Sequence, residues 1–311
     1  GDLYQRIFVV SAYSGVTNAL LEDKKTGAPG VYAHFAAGRL EWKTRIEEVR
    51  ALLKAKNRMF ESLGLDLVAA DAFVDDRLNG ILESLEDLMS LRAYGHLAPE
   101  HYLPASCEML AAIGESHSAF NSADILRRHG VNAVCVDLAR WRETEILPLE
   151  EVVRRAFEKI DLARELPIVT GYAKCEGGIM TQYSRGYSEI TFSKIAAVTL
   201  AREGIIHKEF HLSTGDPVLM GVNNVEVIGN TNFDIADEMS DMNMEAIHSK
   251  ASKELQLKRV PIRVKNAFDP EHPGTLITDD FISAEPRVEM VCGREDILAI
   301  DIKDPDMVGQ T

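Results

Sequence analysis

The first patterned stretch of the chain is Ile7-Phe8-Val9-Val10-Ser11-Ala12, mostly apolar and of strand length. Lacking polar alternation, it suits a strand covered on both faces. The spacing then lengthens to that of helices. Trp42, Ile46, Val49 and Leu53 form one apolar stripe, and Val74, Leu78, Ile81, Leu85 and Leu88 form a second, with Gly95 standing where that helix would stop. A third helical stretch covers about residues 105–129. Beyond it, short apolar runs alternate with helical periods: strands at 131–136, 166–170 and 204–209, helices at 149–160 and 188–202. Residues 232–239 and 247–257 are helical in pattern, and 261–266 is another strand. This alternation predicts an α/β fold, a mostly parallel sheet with helices on both faces. From about residue 279 the texture changes, and 287–291 and 297–302 read as two strands of a second domain across a Gly-Arg-Glu-Asp turn. The expected division is therefore 1–280 and 281–311. The chain starts so close to its first core strand that a preceding segment is expected.

Composition narrows the picture. With 311 residues, 46% of them hydrophobic, the chain can bury a full core. Its formal net charge of -15 argues against nucleic acid or an anionic membrane as partner. Cys107, Cys135, Cys175 and Cys292 show no C-x-x-C spacing and read as reduced thiols of a cytoplasmic protein. No apolar run reaches membrane-spanning length, and the first residues lack a charged-then-apolar leader.

Two segments carry chemistry. Val169-Thr170-Gly171-Tyr172 ends a strand, and Ser184-Arg185-Gly186-Tyr187-Ser188-Glu189 enters a helix. Arg185 thus stands beside unpaired backbone N–H groups, an arrangement suited to an anionic substrate, and its guanidinium can fork onto a carboxylate. Ser188 reads most simply as the cap of that helix. Ser11-Ala12-Tyr13-Ser14-Gly15-Val16-Thr17-Asn18 repeats the strand–turn–helix layout near the start. Two such sites in an acidic chain point to an enzyme for small charged metabolites. Glu115, in Gly114-Glu115-Ser116, is either a solvated helix glutamate or, if the glycine brings another element close, a carboxylate for a substrate ammonium. His207 and His211 stand four apart but without the H-E-x-x-H order, and no metal site is expected from them. The chain contains no G-x-x-x-x-G-K-[ST] loop, no G-x-G-x-x-G after a strand and no G-x-S-x-G elbow.

The ordered motifs resemble those of aspartate kinase, of the amino-acid kinase superfamily. Residues 9–18 resemble V-V-S-A-x-S-G-x-T-N, Gly114-Glu115 its G-E pair, residues 169–172 V-T-G-F, and residues 184–189 G-R-G-G-S-D. Val260-Pro261-Ile262-Arg263-Val264-Lys265-Asn266 with Pro273-Gly274-Thr275-Leu276-Ile277 resembles its closing block. The resemblance implies a three-layer α/β/α sandwich followed by the start of an ACT-like α+β regulatory domain. It also implies transfer of the ATP γ-phosphoryl group to the side-chain carboxylate of L-aspartate, with ATP and Mg²⁺ as cofactors, an amino-acid effector and a homodimer or larger homo-oligomer. Residue by residue it implies Arg185, Glu189 and Ser11 as catalytic, with Arg185 clamping a substrate carboxylate and Ser11 and Gly15 near the transferred phosphoryl group. Thr17, Glu115, Tyr172 and Ser188 would line the aspartate pocket, Glu115 on the α-ammonium. Gly15, His207, Lys208 and Ser213 would lie on the nucleotide side.

The chain departs from that pattern in places. Glu189 replaces the aspartate of G-S-D, Ile206-His207-Lys208-Glu209-Phe210-His211 stands where the family has W-T-D-x-D-G, and Glu245 replaces the lysine of G-A-K-V-L-H-P. No counterpart of the family's N-terminal K-[FI]-G-G-T-S segment is present. The combination is similar to a divergent branch associated with ectoine biosynthesis. The rival readings are a related kinase of glutamate and an effector-binding subunit that has lost nucleotide handling.

Overall fold

The computed structural model describes residues 3–95, 97–241 and 247–291, and leaves the side chains of Arg185 and Asp241 outside that description. The chain divides into two compact units, Gly1–Ala201 and Arg202–Thr311, a division that falls inside the stretch expected as one domain.

In the first unit, strands β1 (Phe8–Val10), β2 (Ala133–Val136) and β3 (Leu166–Thr170) form a parallel sheet in the order β1-β3-β2. Every residue of β3 is buried, so both faces of the central strand are covered, whereas β1, expected to be covered on both faces, lies at the sheet edge with Phe8 45% exposed. Alternation sorts its side chains: Leu166 and Ile168 pack with Ala119 and Ala123 of the helix Pro99–Arg128, whereas Val169 joins the larger core with Val152, Val153 and Ile195. The latter belong to the helices Leu149–Phe157 and Tyr187–Val198, so this unit is layered helix, sheet, helix. The two stripes seen in the sequence form the helices Trp42–Met59 and Leu67–Ala93, packed against each other through Ile46, Leu53, Leu78 and Leu85. Asp66 caps the second, its carboxylate accepting from the N–H groups of Val68 and Ala69. The helix predicted near 105–129 begins earlier, with Pro99 in its first turn, where a missing N–H loses no intrahelical bond.

The second unit holds β4 (Gly204–Lys208), β5 (Asn230–Asn232), β6 (Ile262–Asn266) and β7 (Thr275–Thr278), in the order β4-β6-β7-β5. The pairing is mostly parallel as expected, but among the described residues it divides into two sheets, and in the second β6 and β7 run antiparallel. The cause is the short return between them, too short for a crossover. Gly274 closes that return at φ 72°, where a Cβ would lie 2.2 Å from the Val264 carbonyl oxygen. The helices Phe233–Asp241 and Ser249–Lys258 fall close to their predicted positions. Residues 287–291 form no strand; Arg287 instead pairs with Glu289 two positions on and donates to the Asn230 carbonyl. The predicted strand 297–302 and Cys292 lie outside the described residues.

Candidate active site

Two glycines set the geometry of the first unit's site. A Cβ on Gly114 would lie 2.6 Å from Ala12 Cβ and 2.9 Å from Val16 Cγ1, so the long helix touches the turn after β1 only because residue 114 has no side chain. Ser118, one turn further along, strengthens this contact: its hydroxyl donates to the Ser11 carbonyl oxygen at 2.8 Å. On the other side, a Cβ on Gly171 would meet Ser188 Oγ at 2.8 Å and Glu115 Oε2 at 3.1 Å. The ends of β1 and β3, the long helix and the helix Tyr187–Val198 therefore converge on Glu115.

Glu115 is 2% exposed, which resolves the open choice in favour of a buried carboxylate. Ser188 Oγ donates to its Oε1 at 2.7 Å, while Oε2 meets no donor in hydrogen-bonding geometry among the described residues. Burial pushes the carboxyl up to about 8; the Ser188 hydroxyl, the Tyr172 backbone and the Tyr187 side chain oppose the shift without cancelling it. A neutral carboxyl with one unpaired oxygen is a site that a cation can ionise.

A cavity of about 230 Å³ opens at this point, lined by Ser11, Ala12, Thr17, Lys24, Glu115, Tyr187 and Ser188. Four residues expected in or beside the amino-acid pocket, Ser11, Thr17, Glu115 and Ser188, are thus together. Gly15 precedes them at the start of the helix Val16–Leu20, in a left-handed conformation (φ 83°) that explains the glycine. That helix has only five residues, and Gly30 brings the chain back against its last carbonyls. Gly30 N–H donates to the Leu21 carbonyl at 3.0 Å.

Other assignments change. Ser188 is not the cap: the helix Tyr187–Val198 starts at Gly186 with no side-chain cap, and the Ser188 hydroxyl goes to Glu115. Tyr172 does not line the cavity; its hydroxyl donates to Glu108 Oε2 at 2.9 Å, and its ring meets Tyr187 edge-on at 5.8 Å. Glu108 also accepts from the Thr181 N–H, anchoring the segment that leads to residue 185. Arg185 lies in the turn Ser184–Gly186; its side chain is outside the described part of the structure. Glu189 is in the first turn of the following helix, half-buried and not in the cavity wall.

Sequence reasoning missed Lys24, Tyr187 and Glu108. Lys24 sits on a turn, Asp23-Lys24-Lys25-Thr26-Gly27, like many surface lysines, and nothing in the linear pattern distinguishes it.

In the second unit, His207 and Lys208 end β4, His207 exposed and Lys208 half-buried. Ser213 is 5% exposed and donates to the His211 carbonyl at 3.0 Å. His211 Nε2 lies 3.1 Å from Asp269 Oδ2, with its ring 4.2 Å from that of His272. Among the described residues no group of three or more His, Cys, Asp or Glu is placed to hold a metal. His248 caps the helix Ser249–Lys258 through Nδ1; Glu245 lies outside the described residues.

A β1 turn, a G-E helix and a β3 turn converge on one buried carboxylate in an α/β unit, and the chain belongs to the amino acid kinase family, whose profile matches residues 1–266. It is 50% identical over 309 residues to the aspartate kinase Ask_Ect of Stutzerimonas stutzeri (strain A1501), covering 99% of this chain and 65% of that protein. It is 27% identical over 202 residues to the aspartokinase of Candida albicans (strain SC5314 / ATCC MYA-2876), covering 58% of this chain and 36% of that one. The chain therefore spans less than two thirds of the length of these relatives. Its fold matches E. coli aspartokinase III, solved in complex with aspartate and ADP, with a TM-score of 0.62 at 20% identity, covering 89% of this chain and 58% of that one. Among the described residues no helix is long and apolar enough to cross a membrane.

Proposed function

We propose that this chain carries the catalytic part of an aspartate kinase, which transfers the γ-phosphoryl group of ATP to the side-chain carboxylate of L-aspartate to give 4-phospho-L-aspartate. The observation that carries the reading is the unpaired Oε2 of buried Glu115 facing a cavity walled by the hydroxyls of Ser11, Thr17 and Ser188. Half-identity to Ask_Ect supports it and favours the ectoine-associated branch.

In this reading the substrate α-ammonium docks on Glu115. Its positive charge favours the ionised carboxylate, so binding expels the proton that burial retains there. Ser188 fixes the carboxylate through Oε1 and leaves Oε2 for the ligand. Thr17 and Ser11 offer hydroxyl donors, Thr17 to the amino acid and Ser11 to the phosphoryl group in transit. The acceptor carboxylate is already a nucleophile, so no strong base is needed. Acceleration comes from alignment and from neutralising phosphoryl charge. We assign Arg185 to a substrate carboxylate, with Glu189 as the acidic catalytic residue. Tyr172 acts on the aspartate pocket through its support of Tyr187 and Glu115. Gly15, His207, Lys208 and Ser213 are assigned to the nucleotide, and Mg²⁺ arrives with ATP as part of that substrate. Residues 281–311 are assigned to the beginning of an ACT-like region for an amino-acid effector and subunit pairing.

Burial pushes the Cys135 and Cys175 thiols up to about 12 and about 11, leaving them protonated and unreactive at neutral pH. Unpaired thiols of this kind suit the cytoplasm, the proposed compartment.

The test is ADP release by the full protein with Mg-ATP, with hydroxylamine trapping of the acyl phosphate. ADP release that depends on L-aspartate, with trapped hydroxamate, is expected. Aspartate binding without turnover would identify an effector-binding subunit, and turnover on L-glutamate alone would reassign the acceptor.

A further inference from the structure

We propose that Lys24 is a specificity-determining residue that pairs with a carboxylate of the bound amino acid in the cavity it shares with Glu115. The inference rests on the proposed function and deepens it by naming a group that selects for the acidic substrate.

Among the described residues, Lys24 is the one cation in the cavity wall, in a chain of net charge -15. It is exposed, and it makes no hydrogen bond or ion pair among the described residues. The carboxylate next to it in sequence is already committed. Asp23 Oδ1 accepts from the Lys25 N–H at 2.9 Å, the Thr26 N–H at 2.8 Å and the Thr26 hydroxyl at 3.0 Å, while Oδ2 accepts from Asn18 Nδ2 at 2.7 Å. These bonds pull Asp23 below the usual carboxylate range and hold it as the centre of the turn. The turn is closed again where the Asp23 N–H donates to the Ala28 carbonyl and Glu22 pairs with Pro29. Lys24 is thus carried on a braced loop whose adjacent acid, Asp23, is committed to the turn. Glu115 lines the same cavity, with an oxygen that lacks a donor among the described residues. A carboxyl that an ammonium can ionise and a cationic group facing the same small space match a zwitterion, and the hydroxyls of Ser11, Thr17 and Ser188 add donors but no charge. With an ammonium on Glu115 and Arg185 assigned to one substrate carboxylate, Lys24 is the described cation left for the other. Lysine is a point charge on a flexible stem, able to follow a carboxylate rather than fork onto it.

The experiment is calorimetric titration of the full protein with L-aspartate, without nucleotide, in wild type, Lys24→Met and Lys24→Arg. The expected result is roughly tenfold weaker binding for Lys24→Met, and rescue to within about threefold for Lys24→Arg, as a lost charge-assisted hydrogen bond requires. Because the side chain is exposed and unbonded, the melting temperature of both variants should stay at the wild-type value. L-asparagine and the α-amide of aspartate then identify the carboxylate involved. The amide that replaces the paired carboxylate should weaken binding to wild type strongly and to Lys24→Met hardly at all. Non-additivity with either amide supports the assignment and names the carboxylate; additivity with both, or unchanged aspartate affinity in Lys24→Met, overturns it. Wild-type protein that binds no aspartate overturns the proposed function, and this assignment with it.

Discussion

In the first compact unit the candidate site residues are pressed together: Glu115 is 2% exposed, and Gly114 and Gly171 leave no room for a methyl group. In the second, the residues expected at the nucleotide lie at a strand end and on the segment after it, with His207, Ile205 and Phe210 exposed. The candidate residues of the first unit thus depend on burial and close approach, whereas most of those in the second lie on exposed or half-buried positions. Sequence divergence follows contact tightness: the kept motifs include Gly114 and Gly171 in the first unit and Gly274 in the second, each with no room for a methyl group. A contact that requires a missing Cβ tolerates few substitutions, whereas a charge at a strand end can be supplied by several residue types.

The largest expected effect separates the two units directly. Glu115→Gln should weaken aspartate binding by about 2–4 kcal/mol, as expected when one partner of a buried charge pair is removed, and should leave the KM for ATP unchanged. Lys208→Ala should do the reverse. Calorimetry with aspartate and steady-state kinetics with ATP check both, and a common effect on both ligands would erase the distinction. The pH dependence carries a sign. In the ligand-free protein Glu115 keeps its proton to about pH 8, while in the unfolded chain it titrates near 4.5. The folded state therefore holds a proton that the unfolded state has lost, and stability falls as pH rises from about 4.5 through about 8. Ammonium binding requires the ionised form, so aspartate affinity should rise over the same interval and level off above it. Glu115→Gln should flatten both profiles, which melting curves and titrations between about pH 5 and 9 would show.

Much of the first unit was legible in the sequence. β1 and β3 are apolar runs with few polar interruptions, and both helical stripes appear as read. The reading of Gly114 as a possible close approach holds, because the residues it meets, Ala12 and Val16, belong to the other motif of the site. What failed was decided by long-range contacts. Ser188 has the sequence of a cap, but its hydroxyl is taken by a glutamate 73 positions earlier. Tyr172 looks like a pocket residue, but Glu108 holds its hydroxyl. In the second unit β5 is Asn-Thr-Asn, which no hydrophobic pattern can reveal; it is a strand because Asn230, Thr231 and Asn232 pair with Leu276, Ile277 and Thr278.

A smaller effect compares two glycines. Gly114→Ala puts a methyl group 2.6 Å from Ala12 Cβ, between two backbones that cannot both yield, and should cost about 1–3 kcal/mol of stability. Gly229→Ala, in the second unit, meets nothing within 4 Å and has an ordinary φ. It should be neutral or gain up to about 1 kcal/mol by restricting the unfolded chain. Chemical denaturation of the two variants measures the difference, and an equal loss in both would show that close packing does not distinguish the two units.

The smallest effect concerns backbone strain just before Arg185. Ser184 has φ 53° and ψ -140°, outside the regions open to residues with a Cβ, at the position where the resembling motif has glycine. Arg259, in the second unit, also has positive φ, but at φ 54° and ψ 37° it sits in the left-handed helical well and ends the helix Ser249–Lys258 with its N–H on the Gln256 and Leu255 carbonyls. Positive φ alone does not measure strain; ψ decides it. Ser184→Gly should therefore raise stability by about 1 kcal/mol, the relief of strain exceeding the added freedom of the unfolded chain. Arg259→Gly should gain less, a few tenths of a kcal/mol at most, because its conformation is already tolerated. If Ser184→Gly is destabilising, the strain at residue 184 is absent in solution. If it stabilises the protein and lowers kcat for aspartate, the strained turn contributes to holding Arg185 in place, and the tight packing of the first unit extends to the backbone that presents its arginine.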